Sequence, residues 1–150
     1  MATLKVNGFE LVDRQFNRMG AGMIRQIVEA GASAAEKRMA ENTEKAGHGP
    51  PGRSRRATGE MLRSIGRNEY REFLGGGSVE VYPHGDDRKG VRNATKAYVI
   101  NYGRGQRPTT KRKKPNKTGD KFITGDESQA EQLVQEAMQA ESDRLIAELE

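Results

Sequence analysis

The 150-residue chain contains no cysteine, which excludes a disulfide framework, a thiolate metal site and a cysteine nucleophile, and fits synthesis and residence in a reducing compartment. It also lacks any long apolar run. No stretch approaches the roughly eighteen apolar residues that a membrane helix needs, and Met1–Asn7 has no apolar h-region, so a chain neither exported by a signal peptide nor spanning a membrane is expected. Only 33% of residues are hydrophobic, against 31% charged and 18 glycines. That balance predicts a small core, long solvated segments and loops that order against a partner. Only two histidines occur, His48 and His84, both in Gly- or Pro-rich surroundings. Asp86 and Asp87 near His84 fall short of the four supported ligands of a structural metal site. Gly75-Gly76-Gly77 and Gly103-Arg104-Gly105 lack the strand, Lys-Ser/Thr and helix context of a phosphate cradle. Ser64 has no Gly-x-Ser-x-Gly elbow and no evident base. Neither catalysis nor a cofactor or metal is expected.

What the chain does have is charge, strongly segregated. From Gly103 to Lys121 eight cations (Arg104, Arg107, Lys111, Arg112, Lys113, Lys114, Lys117, Lys121) stand against Asp120 alone, a net +7. From Asp126 to Glu150 eight anions, among them Glu131, Glu136, Glu141 and Asp143, stand against Arg144, a net −7. Three readings follow. The basic loop of one subunit could meet the acidic helix of its neighbour, since opposed patches steer association and fix register. It could face DNA phosphates, with steep salt dependence. Or it is simply a solvated loop. Its Lys111-Arg112-Lys113-Lys114 run has no interleaved aromatics, so DNA contact there would be sequence-blind.

Periodicity places the elements. Leu4 and Val6 alternate with polar neighbours, as in a short strand. Val12, Phe16, Met19, Met23, Ile27, Gly31, Ala34, Ala35 and Met39 recur at threes and fours, predicting an amphipathic helix over about Glu10 to Thr43. Gly20 and Gly22 inside it predict a kink or a close helix contact, and the Gly- and Pro-rich stretch 47–52 ends it. Asn68–Leu74 and Ser78–Pro83 read as a hairpin around Gly75-Gly76-Gly77, with Val79 and Val81 on one face. Residues 84–93 read as a polar loop. A C-terminal helix opens at one of two capping boxes, Thr124–Glu127 or Ser128–Glu131. Its stripe is Ala130, Leu133, Val134, Ala137, Met138, Leu145, Ile146 and Leu149, interrupted by Glu141.

Two short motifs remain. Thr58-Gly59-Glu60-Met61-Leu62-Arg63-Ser64-Ile65 reads as a Thr N-cap, a glycine and a short helix with Met61, Leu62 and Ile65 on one apolar face. Ala97-Tyr98-Val99-Ile100-Asn101-Tyr102-Gly103 is an apolar run that periodicity leaves open between strand and helix, with Gly103 as a helix stop. As a helix it brings Tyr98 and Tyr102 to one face, read as core packing. Together with Phe122-Ile123 before the last helix, these motifs resemble the small tail-completion or head-tail joining family of long-tailed bacteriophages. Members of that family carry Thr-Gly-x-Leu-x-x-Ser-Ile and then a Tyr-rich element ending in Gly. The resemblance rests on Thr58, Gly59, Leu62, Ser64, Ile65, Tyr98, Tyr102, Gly103 and Phe122, and it favours helix for the second motif. The chain departs from the family's Glu-Phe-Gly-Thr with Asn101-Tyr102-Gly103-Arg104, and from Pro-Phe-Leu with Lys121-Phe122-Ile123.

The expectation is therefore one α+β domain over 1–150, with long N- and C-terminal amphipathic helices packed on a small antiparallel sheet or hairpin. An extended basic loop and flexible loops near 46–57, 84–94 and 104–121 complete it. The resemblance implies a virion protein of the neck and tail junction, assembled in the host cytoplasm, working as a ring that is often sixfold. Its neighbours would be connector, tail terminator or tail tube proteins, with possible contact to packaged DNA and none to membrane. Tail terminator or head-tail connector is the alternative within that class, and a nonspecific DNA-binding protein using Arg104, Arg107, Lys111, Arg112, Lys113, Lys114 and Lys117 is the alternative outside it. Glu131, Glu136, Glu141 and Asp143 are the candidate inter-subunit acidic face.

Overall fold

The computed structural model describes residues 4–7, 20–52, 57–102 and 127–149. In chain order these form β1 (Leu4–Asn7), α1 (Ala21–Lys45), α2 (Glu60–Ser64), β2 (Ile65–Arg67), β3 (Arg71–Phe73), β4 (Gly76–Pro83), α3 (Asn93–Tyr102) and α4 (Glu127–Ala147). The class is α+β, as the periodicities predict. The ambiguous second motif is helical.

The chain divides into two compact units, one of residues 1–2, 39–65 and 83–125, the other of residues 3–38, 66–82 and 126–150. The second contains the sheet, in which β1 lies antiparallel on one side of β4 with Leu4 opposite Val81 and Val6 opposite Val79. Along the other side of β4 run β2 and then β3, the latter pairing Arg71 with Ser78 and Phe73 with Gly76. The sheet is thus three strands wide, with one edge strand broken in the middle.

The break is a β-bulge. Asn68 donates its backbone N–H to the Glu80 carbonyl (3.0 Å), and its side-chain Oδ1 accepts the Glu80 N–H (2.7 Å). Between that pair and Arg71–Ser78, two residues, Glu69 and Tyr70, face the single residue Val79, the two-against-one count that bends a strand and re-aims a side chain. Tyr70 is turned across Gly77, where a Cβ would overlap the Tyr70 ring and hydroxyl. Of the three consecutive glycines, only Gly75 has left-handed backbone (φ 87°) and makes the turn; Gly76 and Gly77 are already strand.

Val79 and Val81 are buried, as the alternation predicts, and with Ile27, Val28, Ala32 and Ala35 of α1 and Ala130, Val134, Met138 and Leu145 of α4 they make the apolar core of this unit. Fully burying a Val or Ile side chain contributes about 1.5–3 kcal/mol each. Gly20 and Gly22 make no close contact, since nothing stands within 4 Å of where a Cβ on either would lie. Gly20 precedes α1 and its carbonyl accepts the Met23 N–H (2.9 Å), while Gly22 in the first turn is exposed, where glycine costs little. The earlier part of the predicted helix, 10–19, lies outside the described residues.

The other unit has a core of different character. Met39, Ala57, Met61 and Ala97 are buried alongside Asn42, Thr43, His48, Asn93 and Asn101. Thr43 keeps its hydroxyl satisfied by donating to the Met39 carbonyl (2.7 Å). Helix α1 stops in a Schellman motif, with the Gly47 N–H on the Glu44 carbonyl, the His48 N–H on the Thr43 carbonyl and Gly47 at φ 84°. Helix α2 starts differently from the expected Thr cap. Gly59, left-handed at φ 72°, is the N-cap, and Thr58, one residue outside, only accepts a long 3.4 Å contact from the Glu60 N–H. Ser64 closes α2 by donating its hydroxyl to the Met61 carbonyl (2.7 Å), and its own carbonyl accepts the His84 N–H. Leu62 and Ile65 are half-buried.

Candidate interaction surfaces

Helix α3 is anchored by the turn that precedes it. Asp87 Oδ1 accepts the N–H groups of Lys89 and Val91, both at 2.8 Å, and Asp87 exchanges backbone bonds with Gly90 and Val91. Its other oxygen pairs with Lys96 Nζ, one turn into α3. Asn93 donates its N–H to the Gly85 carbonyl and its Nδ2 to the His84 carbonyl, each at 2.9 Å. The hydrogen bond from Lys96, with the two backbone N–H groups, holds the Asp87 carboxyl at about 2, below its usual 3.8. Arg88 Nε meets Glu60 Oε1 at 2.9 Å, tying the turn to α2. The polar stretch 84–92 is a tightly bonded turn.

That anchoring sets the phase of α3. Asn93, Ala97 and Asn101, at i, i+4 and i+8, are buried, and α2 and α3 touch. Ala97 has no exposed surface. Tyr98 and Tyr102 are consequently outside, 45% and 51% exposed, with ring centroids 4.9 Å apart and planes tilted by 50°. This corrects their reading as core residues: the small and amide side chains took the inner face, and the tyrosines contact each other on the outer one. Val91, in the turn just before α3, is also exposed.

In the sheet-bearing unit, an open groove of about 310 Å³ runs beside Tyr70. Arg25 of α1 stacks its guanidinium 5.8 Å from the Tyr70 ring centroid and pairs with Glu29 at 2.8 Å. Arg67 donates to the Glu29 carbonyl and to Ser33 Oγ, and its Nε lies 3.7 Å from Glu36. Burial raises the Tyr70 hydroxyl above its usual pKa of 10. Each arginine in the groove already has an acidic partner, so its chemistry is that of a brace between α1 and the bulge. At the hairpin tip Phe73 and Leu74 are exposed, a feature that alternation alone does not reveal.

Helix α4 buries Ala130, Val134, Met138, Ser142 and Leu145. Ala130, Val134, Met138 and Leu145 of the expected stripe are buried and Ala137 and Ile146 half-buried, whereas Leu133 (41% exposed) and Leu149 are outside and Ser142 is a polar member of the buried face. The expected acidic face divides. Half-buried Glu141 is clamped by Arg144 through two bonds of 3.0 and 2.6 Å, which lower its carboxyl and raise the arginine, and Arg144 also pairs with Glu148. Glu136 and Asp143, seven residues apart and exposed, share the outer face, and Gln139 donates to Asp143 at 2.7 Å. Glu131 is exposed on a different side of the helix, five residues before Glu136.

The candidate basic contacts Arg104, Arg107, Lys111, Arg112, Lys113, Lys114 and Lys117 lie outside the described residues, as do Gly103, Phe122 and the Thr124 capping box. Ser128 of the second box sits within α4. Among the described residues no cluster of three or more His, Asp or Glu could hold a metal ion, and no helix is long and apolar enough to cross a membrane. Comparison of the chain with family models, curated proteins and solved structures finds no match in any of the three.

Proposed function

We propose that this chain is a non-enzymatic structural subunit of a long-tailed bacteriophage virion, located at the neck and tail junction, where it completes the tail and joins it to the head as one member of a ring. The observation that carries the reading is the placement of the two motifs. Thr58–Ile65 and Ala97–Tyr102 form adjacent helices of one unit, with Met61 and Ala97 buried and Tyr98 and Tyr102 turned outward. Residues that frame a fold and present aromatic side chains suit a protein whose work is contact with other subunits. The polar core of that unit points the same way, since a chain that buries little apolar surface alone gains stability from its interfaces. A sixfold ring contacting connector, terminator or tube proteins is the arrangement that the motif resemblance implies.

Deleting the gene from its phage genome and imaging the lysate by electron microscopy tests this. DNA-filled capsids and tails that fail to join, with joining restored by a plasmid copy, are expected. Joined particles in normal number would overturn the proposal.

A further inference from the structure

The structure offers two helix faces that have no partner among the described residues, one following a turn with two unpaired cations and one acidic. We propose that the outer face of α3 in one copy seats on the outer face of α4 in a second copy. This deepens the ring reading and rests on it.

On α3 the face consists of Tyr98 and Tyr102, the large side chains that the buried Asn93, Ala97 and Asn101 leave outside, and exposed Val91 stands in the turn just before the helix. The helix and the turn before it carry cations, but not all are available. Lys96 is neutralised by Asp87, and Arg88 is held by Glu60. Lys89 and Arg92, both exposed in the turn before α3, have no ion pair among the described residues and outnumber the exposed Asp86, whose backbone bridges to Arg92. Tyrosines with a basic rim are the composition of an interface that receives an acidic surface.

On α4 such a surface exists. Leu133, Glu136, Ala140 and Asp143 are all exposed and follow one another at three and four residues, so they form one stripe, opposite the buried Ala130, Val134, Met138 and Leu145. Arg144 spends its charge on Glu141 and Glu148, leaving Glu136 and Asp143 uncompensated by any cation among the described residues. In this contact the tyrosines lie along the stripe that carries Leu133 and Ala140, and Glu136 and Asp143 are the carboxylates that meet Lys89 and Arg92. The two faces differ, so the contact is heterologous, and repetition with a closing rotation produces a ring. One helix pair buries less than the roughly 1,200 Å² of a stable interface, so a lone pair is weak and closure of the ring stabilises each contact.

Because the chain has no cysteine, heterotypic disulfide trapping reads the contact directly. Full-length Tyr98→Cys and Ala140→Cys variants are oxidised separately and as a mixture, alongside sedimentation of the wild type. The proposal expects a cross-linked dimer in the mixture alone. In sedimentation Tyr102→Ala is expected to raise the half-assembly concentration about tenfold or more. Arg92→Glu should weaken assembly, and the pairing of Arg92→Glu with Asp143→Arg should restore it. Circular dichroism establishes that each variant is folded, which these exposed positions favour.

A wild-type oligomer with no heterotypic cross-link, or with cross-links between two Tyr98→Cys chains, overturns this contact and leaves the ring reading standing. A wild type that stays monomeric at every concentration overturns both. Tyrosine variants that lose affinity for a fluorescent single-stranded oligonucleotide while assembling normally would assign the face to nucleic acid, and would also overturn the contact.

Discussion

Asp87 shows how much structure one side chain can organise: two backbone N–H groups and Lys96 converge on its carboxylate, and the turn that launches α3 depends on all three. Its carboxyl titrates at about 2 in the fold against 3.8 ordinarily. The bonds therefore contribute in full above about pH 4, and that contribution disappears as the pH falls towards 2. Thermal melts of wild type and Asp87→Asn from pH 7 to pH 2 measure it. The variant should melt lower at neutral pH and lose less between pH 4 and 2, and equal acid slopes would contradict the assignment. Little of this was legible in the residues. His84–Asn93 reads correctly as polar and turn-forming, but which of two adjacent aspartates bonds the backbone depends on how the chain folds over it. The Thr58 cap failed for a similar reason. Either Thr or Gly can stand at an N-cap, and the left-handed backbone at Gly59 decides between them.

At the scale of elements, helices and strands were legible wherever a period was clean, as in α1, α4 and the Val79–Val81 alternation. The phase of a helix was less so. In α3 the large tyrosines read as the core side, yet the structure buries Asn93, Ala97 and Asn101, because the turn at Asp87 and the Asn93 bonds to residues 84 and 85 fix where the helix begins. In α4, Leu133 and Val134 are sequence neighbours, and only the neighbouring elements determine that Val134 goes inside. The hairpin shows the same limit. Three glycines suggest a wide turn, whereas Gly77 is a strand residue that leaves room for the Tyr70 ring. Gly77→Val should displace that ring and cost about 1–3 kcal/mol in urea unfolding. Much less should be lost when Tyr70→Ala is already present, since contacting residues are not additive. Equal costs in the two backgrounds would show that Tyr70 does not depend on the glycine.

For the whole molecule, charge was the most legible property and its use the least. The sequence separates +7 from −7, but within α4 the acidic residues have different fates, with Glu141 neutralised by Arg144 and Glu136 and Asp143 left outward. The candidate surfaces on the described residues are consequently narrower than a basic loop against an acidic helix, and they include tyrosines and a leucine that charge counting passes over. The central claim is that these surfaces assemble copies of the chain into a closed ring. Native mass spectrometry over a concentration series tests it most directly. The account predicts one dominant species at a fixed integer multiple of 16.6 kDa, six copies if the symmetry is that of the resembling family. A chain that remains at 16.6 kDa throughout, or forms an open ladder of sizes with no closed species, would contradict it.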